Sequence, residues 1–172
     1  MKKTVKLSAL ICALIIIAAL AACGEKNTGE TSSQAADTSS AALADYGWVR
    51  FEMPAGYADT NESDYYVAVA DENNDKHIIK IFNHTLVSGK TLEDEIADEM
   101  EYSQNPSIED AFDVNGRSWT PAYFDFNSNR SVKLFTQPND STCCFLVVYE
   151  MTETDEAVQT VLSSIEFVPE NI

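Results

Sequence analysis

The amino-acid pattern predicts an α+β domain: an antiparallel sheet of six to seven strands in β-β-β-α-β-β-β-β-α order, flanked by helices. Three observations carry that expectation. Strand-like runs alternate with tight-turn residues, among them Asn115-Gly116, a strong type I′ hairpin signal. Two segments, opening at Thr91 and Thr152, repeat apolar residues at helical spacing. Two of the strands carry large apolar residues on both faces, which a sheet covered on one side only does not do.

The composition changes at Tyr46, and residues 46–169 are long enough to bury a real core. A first strand spans 48–53 and stops at Pro54-Ala55-Gly56. Strands over 65–70 and 77–83 flank a polar turn, residues 71–75, and read as a hairpin. Thr91 then opens a helix, with Asp94 placed for a capping box. Leu92, Ile96 and Met100 form its apolar stripe, and the helix ends before Pro106. Its acidic residues, Glu93, Glu95, Asp98, Glu99 and Glu101, read as the solvated face.

A strand over 108–114 leads into the Asn115-Gly116 turn, and residues 117–126 return. Pro121 marks a bulge or an edge position there. Turns at 127–129 and 138–140 separate strands over 131–136 and 142–150, completing a meander of four. Thr152, with Asp155 three residues on, is placed to cap a second helix with Val158, Val161, Leu162 and Ile165 as its stripe. Phe167 and Val168 read as a short closing extension.

Upstream of the domain the chain is of a different kind. Lys2, Lys3 and Lys6 form a basic start, and an apolar run from near residue 5 ends at Leu20-Ala21-Ala22-Cys23. That run is short for a membrane span, which needs roughly 20 apolar residues. The stretch resembles the lipobox of bacterial lipoprotein precursors. The resemblance implies cleavage between Ala22 and Cys23 and a diacylglyceryl group on the Cys23 sulfur. Ala21-Ala22 would also suit a general secretory peptidase, with Cys23 a bystander, and an uncleaved anchor is a third reading. Two acyl chains give stable attachment where one gives only marginal binding. Residues 1–22 are then the signal peptide. Residues 23–45 are the lipidated cysteine and a linker of Ser, Thr, Gly, Gln, Asn and Ala that cannot build a core.

The formal charge of the whole chain is −17. Removing the three leader lysines leaves 8 basic and 28 acidic residues, a charge of −20. Nucleic-acid binding is thereby ruled out, since phosphates demand Lys and Arg, whereas cations and basic partners are attracted. Of four cysteines, Cys12 goes with the leader and Cys23 is taken by lipid. Cys143 and Cys144 are neighbours on one strand and point to opposite faces, so no relaxed disulfide or shared metal site is expected.

Candidate chemistry is sparse. Asp71, Asn73 and Asp75 have the spacing that begins an EF-hand calcium loop, but the sixth position is Lys76 instead of Gly and the twelfth is Phe82 instead of Glu. A polar hairpin turn competes with weak calcium attraction there. His77 and His84 are seven apart on one strand, hence on opposite faces, and are not expected to form a metal pair. No nucleophile–base motif is present, so no catalytic residue is assigned and no cofactor is expected. Trp119, Tyr123, Phe145 and Tyr149 are candidates for one sheet face, either core or a partner surface.

The run Gly47-Trp48-Val49-Arg50-Phe51-Glu52-Met53-Pro54-Ala55-Gly56-Tyr57 resembles the opening of PsbP-like domains found in small Gram-positive lipoproteins. Thr91-Leu92-Glu93, Val114-Asn115-Gly116-Arg117 and Leu162-Ser163-Ser164-Ile165-Glu166-Phe167 resemble later family motifs in the same order. The resemblance implies an antiparallel sheet with helices on both faces, and binding or assembly more often than catalysis. No functional residue carries over. The expectation is therefore a monomeric, non-enzymatic lipoprotein on the extracytoplasmic face of a cell membrane, meeting an unknown protein partner. A ligand- or calcium-binding surface module is the alternative.

Overall fold

The computed structural model describes residues 42–63 and 65–168. They belong to the compact unit Ser39–Ile172. Ala22, Cys23 and the leader lie outside the described residues, as does the tether up to residue 41.

The chain opens with β1 (Leu43–Asp45), β2 (Val49–Glu52), β3 (Tyr57–Glu62), β4 (Tyr66–Asp71) and β5 (Asn74–Thr85). Helix α1 (Leu92–Met100) follows, then β6 (Gln104–Ile108), β7 (Phe112–Val114), β8 (Arg117–Phe126), β9 (Asn129–Asn139) and β10 (Thr142–Tyr149). Helix α2 (Glu156–Ser164) and β11 (Glu166–Phe167) close the described chain.

The strands form two antiparallel sheets. The large one has eight strands in the order β3-β4-β5-β10-β9-β8-β6, with β7 also on β8. The small one runs β1-β2-β11. The α+β class and the flanking helices agree with the sequence pattern, and four details do not. The strand at 48–53 leaves the main sheet and pairs with the closing β11 through Arg50↔Glu166. Part of the expected linker, Leu43–Asp45, is a strand on β2. The edge strand β3, too polar to announce itself, pairs β4. The expected strand over 108–114 is broken in two.

Pro121 explains that break. Its carbonyl accepts from Glu109 N at 3.1 Å, so the same backbone edge faces the β6–β7 side. Having no N–H to donate, it ends the ladder there, between the pairs Ile108↔Ala122 and Phe112↔Trp119. The hairpin turn itself is as expected: Asn115 and Gly116 have φ of 50° and 74°, the two left-handed residues of a type I′ turn.

β10 is the centre of the molecule, and residues 142–148 are all buried. Register assigns its side chains. Leu146 meets Ile81 on one side and Leu134 on the other, and Val148 meets Ile79 and Val132. This row faces Val158, Val161 and Leu162 of α2 and Val49 and Phe51 of the small sheet, in one core. Phe145 and Val147 face the other way, toward Ile96 and Met100 of α1.

Both helices start with a threonine–aspartate pair, used differently. At α1, Thr91 Oγ1 accepts from Asp94 N at 3.2 Å and Asp94 Oδ2 accepts from Thr91 N at 2.9 Å, a complete capping box. At α2 the expected Thr152 cap is replaced by Asp155 as N-cap. Its carboxylate accepts from Thr152 N at 2.7 Å, which fixes the entry turn.

Two stability outcomes follow. Leu146→Ala is expected to lower unfolding free energy in urea by about 2–5 kcal/mol, because the site is locked between three strands and α2. Thr91→Ala is expected to lower it by about 1 kcal/mol through loss of the cap.

Candidate functional site

On the α1 side of the sheet an aromatic row runs straight across four strands. Tyr66 pairs Phe82, Phe82 pairs Phe145, and Phe145 pairs Phe135. Their ring centroids are 5.4, 4.9 and 5.1 Å apart in turn. Such cross-strand neighbours are the contacts that stabilise a sheet face. Helix α1 covers only part of that face. Beside its C-terminal end lies an open cleft of about 670 Å³. Phe82, Phe124, Phe145 and Tyr149 line it, and Tyr65, Tyr102 and Phe126 stand at its exposed mouth.

Polar groups enter the cleft from both walls. The Lys133 stem crosses the face so that its ammonium lies 5.9 Å from the ring centroids of Phe124 and Phe145. Lys133 Nζ donates to Glu99 Oε2 at 2.6 Å and to Glu99 O at 2.9 Å, tying β9 to α1. One turn earlier, Glu95 Oε1 lies 2.5 Å from His84 Nδ1. The Glu95 side chain is only 6% exposed and His84 is 52% exposed. His84, Glu95 and Glu99 place ligand atoms within 4.8 Å of one another. The acidic face of α1 is thus not wholly solvated, contrary to the sequence expectation. At 3.6 residues per turn, Glu95 and Glu99 fall within about 60° of Leu92, on the edge of the inward stripe.

The four aromatic candidates separate. Trp119 and Tyr123 lie on the opposite face, in the α2 core, with Trp119 fully buried. Phe145 and Tyr149 line the cleft. The register is the reason: Tyr123 pairs Val132, and Val132 pairs Val148, whereas Phe145 and Tyr149 are odd-numbered neighbours on β10. Burial, then a hydrogen bond to Glu153, raises the Tyr123 phenol above its ordinary range.

The calcium-loop spacing is a hairpin. Asp71 pairs Asn74 across the turn. Asp71 Oδ1 accepts from Asn73 N at 2.8 Å, and the next strand already contains Asp75. A twelve-residue loop wrapping an ion has no room to form. His77 Nδ1 is 3.8 Å from Asp71 Oδ2, on the far side of β5 from His84.

Cys143 and Cys144 are free and buried on opposite faces, as strand geometry requires. Burial pushes both thiols up to about 12, with the Glu95 and Glu99 carboxylates adding to the effect at Cys143. Among the described residues no helix is long and apolar enough to cross a membrane.

No protein-family model matches the chain, and no curated protein matches it. Among solved structures, it is similar to the solution structure of the cyanobacterial PsbP protein, CyanoP, from Synechocystis sp. PCC 6803. That likeness is 15% identical with a TM-score of 0.46, over 70% of this chain and 87% of that one. It is also similar to a crystal structure from Bacteroides thetaiotaomicron VPI-5482, 10% identical with a TM-score of 0.45, over 73% of this chain and 47% of that one.

The buried thiols give a pH expectation. Each folded thiol holds its proton above the reference value of 9.0, so their contribution to stability is full below about pH 9 and falls as pH rises toward about 12. Urea midpoints measured from pH 8 to pH 11 test this. At neutral pH, Ellman's reagent is expected to leave both thiols untouched in the folded domain and to modify them once it is unfolded.

Proposed function

We propose that this protein is a membrane-anchored extracytoplasmic lipoprotein, held by lipid on Cys23, whose PsbP-like α+β domain is a non-enzymatic module binding a protein partner. The cleft on the α1 face is the observation that supports this reading. Its volume is that of a ligand pocket, but its mouth is open and rimmed by exposed tyrosine and phenylalanine. Tyr65 is 74% exposed, Tyr102 88% and Phe126 42%. Exposed aromatics around a desolvated floor are the composition of a protein-binding hot spot.

The occupant is a segment with an apolar or aromatic side chain at its centre and basic residues on its flanks. The floor of phenylalanine rings takes the first. The charge of the cleaved chain, −20, attracts the second. The aromatic walls offer stacking and edge contacts worth about 0.5–1.5 kcal/mol per ring pair beyond the buried area.

Two experiments test the two halves of the proposal. Labelled fatty acid is expected to enter the wild-type chain and not Cys23→Ala; equal labelling of both removes the anchor. A photoreactive amino acid at position 102 of the anchored chain is expected to give one discrete protein adduct in cells, weakened at least fivefold by Phe126→Ala. The same probe at Glu166, on the small sheet, is expected to give none. Identical adducts from both positions, or none from 102, would overturn the cleft as the docking site.

A further inference from the structure

The geometry points to a divalent transition-metal site formed by His84, Glu95 and Glu99 beside the cleft. The three side chains come from two elements that meet only in the fold, β5 and α1, and their ligand atoms lie within 4.8 Å of one another. One imidazole with two carboxylates is a donor set for zinc and its neighbours. Calcium wants six to eight oxygens, and magnesium an octahedral shell dominated by water.

Charge supplies a second reason. The Glu95 side chain is only 6% exposed, and among the described residues it meets one side chain at ion-pair distance, His84. Lys133 is committed to Glu99 through Oε2 and the backbone carbonyl, and Lys90, whose charge Glu95 also feels, is paired with Asp98. A buried carboxyl group is costly to ionise unless a positive charge is held against it. A divalent ion bound by all three residues supplies that charge, while Lys133 keeps Oε2 of Glu99 and leaves Oε1 for the metal.

His84 Nδ1 and Glu95 Oε1 are 2.5 Å apart, a proton-sharing distance. Ligands each about 2.0–2.2 Å from one tetrahedral ion sit about 3.3–3.6 Å from one another. Loading therefore needs the pair to part by about 1 Å, a move within reach of the half-exposed imidazole. Three protein ligands leave one position open, and because His84 and Glu99 both line the cleft, it opens on the cleft.

Zn(II) titration calorimetry on the purified full chain tests the site. Cys12→Ser and Cys23→Ser remove the leader and anchor thiols from competition. Saturable uptake of about one equivalent is expected, weakened at least tenfold by His84→Ala and by Glu95→Gln, and unchanged by Asp71→Asn. Co(II) is expected to give visible d–d absorption that His84→Ala abolishes. If Glu95→Gln does not fold by circular dichroism, the exposed His84 variant decides alone. Uptake that survives His84→Ala within twofold, or no saturable uptake by the folded parent, would refute the site.

Discussion

The register of β10 between β5 and β9 is the constraint on which the rest depends. Side chains alternate along a strand, so a slip of one residue would exchange every face at once. In the observed register Leu146 and Val148 enter the α2 core, while Phe145 and Val147 turn to the α1 side. The slipped register would drive Lys133 and its ion pair into the larger core and leave the leucine–isoleucine row facing the cleft. The long hydrophobic run of β10 cannot choose between these by itself, because both of its faces are apolar. The choice lies with its neighbours. Lys133 on β9 and Lys80 on β5 have only one tolerable side, where each reaches the cleft face and its aromatic rings. Adjacent buried cysteines fit the same logic, one small side chain in each core.

Helix α1 depends on that face in turn. It has nine residues and buries only Ile96, Met100 and the Glu95 side chain deeply. Such a short helix is marginal without tertiary contacts. Its position is set by three polar attachments: the capping box at Thr91, the His84–Glu95 pair, and the Lys133–Glu99 pair. Of these residues, His84, Glu99 and Lys133 also line the cleft. Residues that hold the helix in place thus also line the cleft, and a change at either pair alters the cover and the site together.

Much of the domain was legible in the sequence, and the illegible parts share a cause. Local signals worked where a few neighbouring residues decide the outcome: the Asn115-Gly116 turn, the Thr91 capping box, the stripes of both helices, the opposed cysteines. Pro121 was legible as a break in pairing, though not as the gap between β6 and β7. Non-local pairing was not legible. Nothing near Val49 says that its strand leaves the main sheet to meet Phe167, more than a hundred residues away. The four aromatic candidates looked equivalent because alternation within a strand is visible and register between strands is not. The Glu95 and Glu99 carboxylates were legible in principle, since their helical angle lies beside Leu92. Counting charge along the helix hid what angle shows. His84 as their partner was not legible, because only the fold brings the end of β5 under α1.

The cleft is a consequence of dimensions. Nine helical residues rise about 13 Å. Seven strands side by side span about 29 Å at their usual spacing. One such helix cannot cover that face. The opposite face has α2 and the small sheet packed with it in one core. An uncovered face needed only for solvation would alternate to polar residues, as one-sided antiparallel sheets do. Here the uncovered region instead presents Phe82, Phe126 and Tyr149, with Lys80 laid over the Tyr149 ring. Apolar area kept in contact with water forgoes about 25 cal/mol for each Å² left unburied. Polar substitution at those positions would have been locally cheaper, and it would have left the α2 core untouched because the two faces share no side chains. The aromatic lining is therefore explained better by what it would bury on binding than by the folding of the domain.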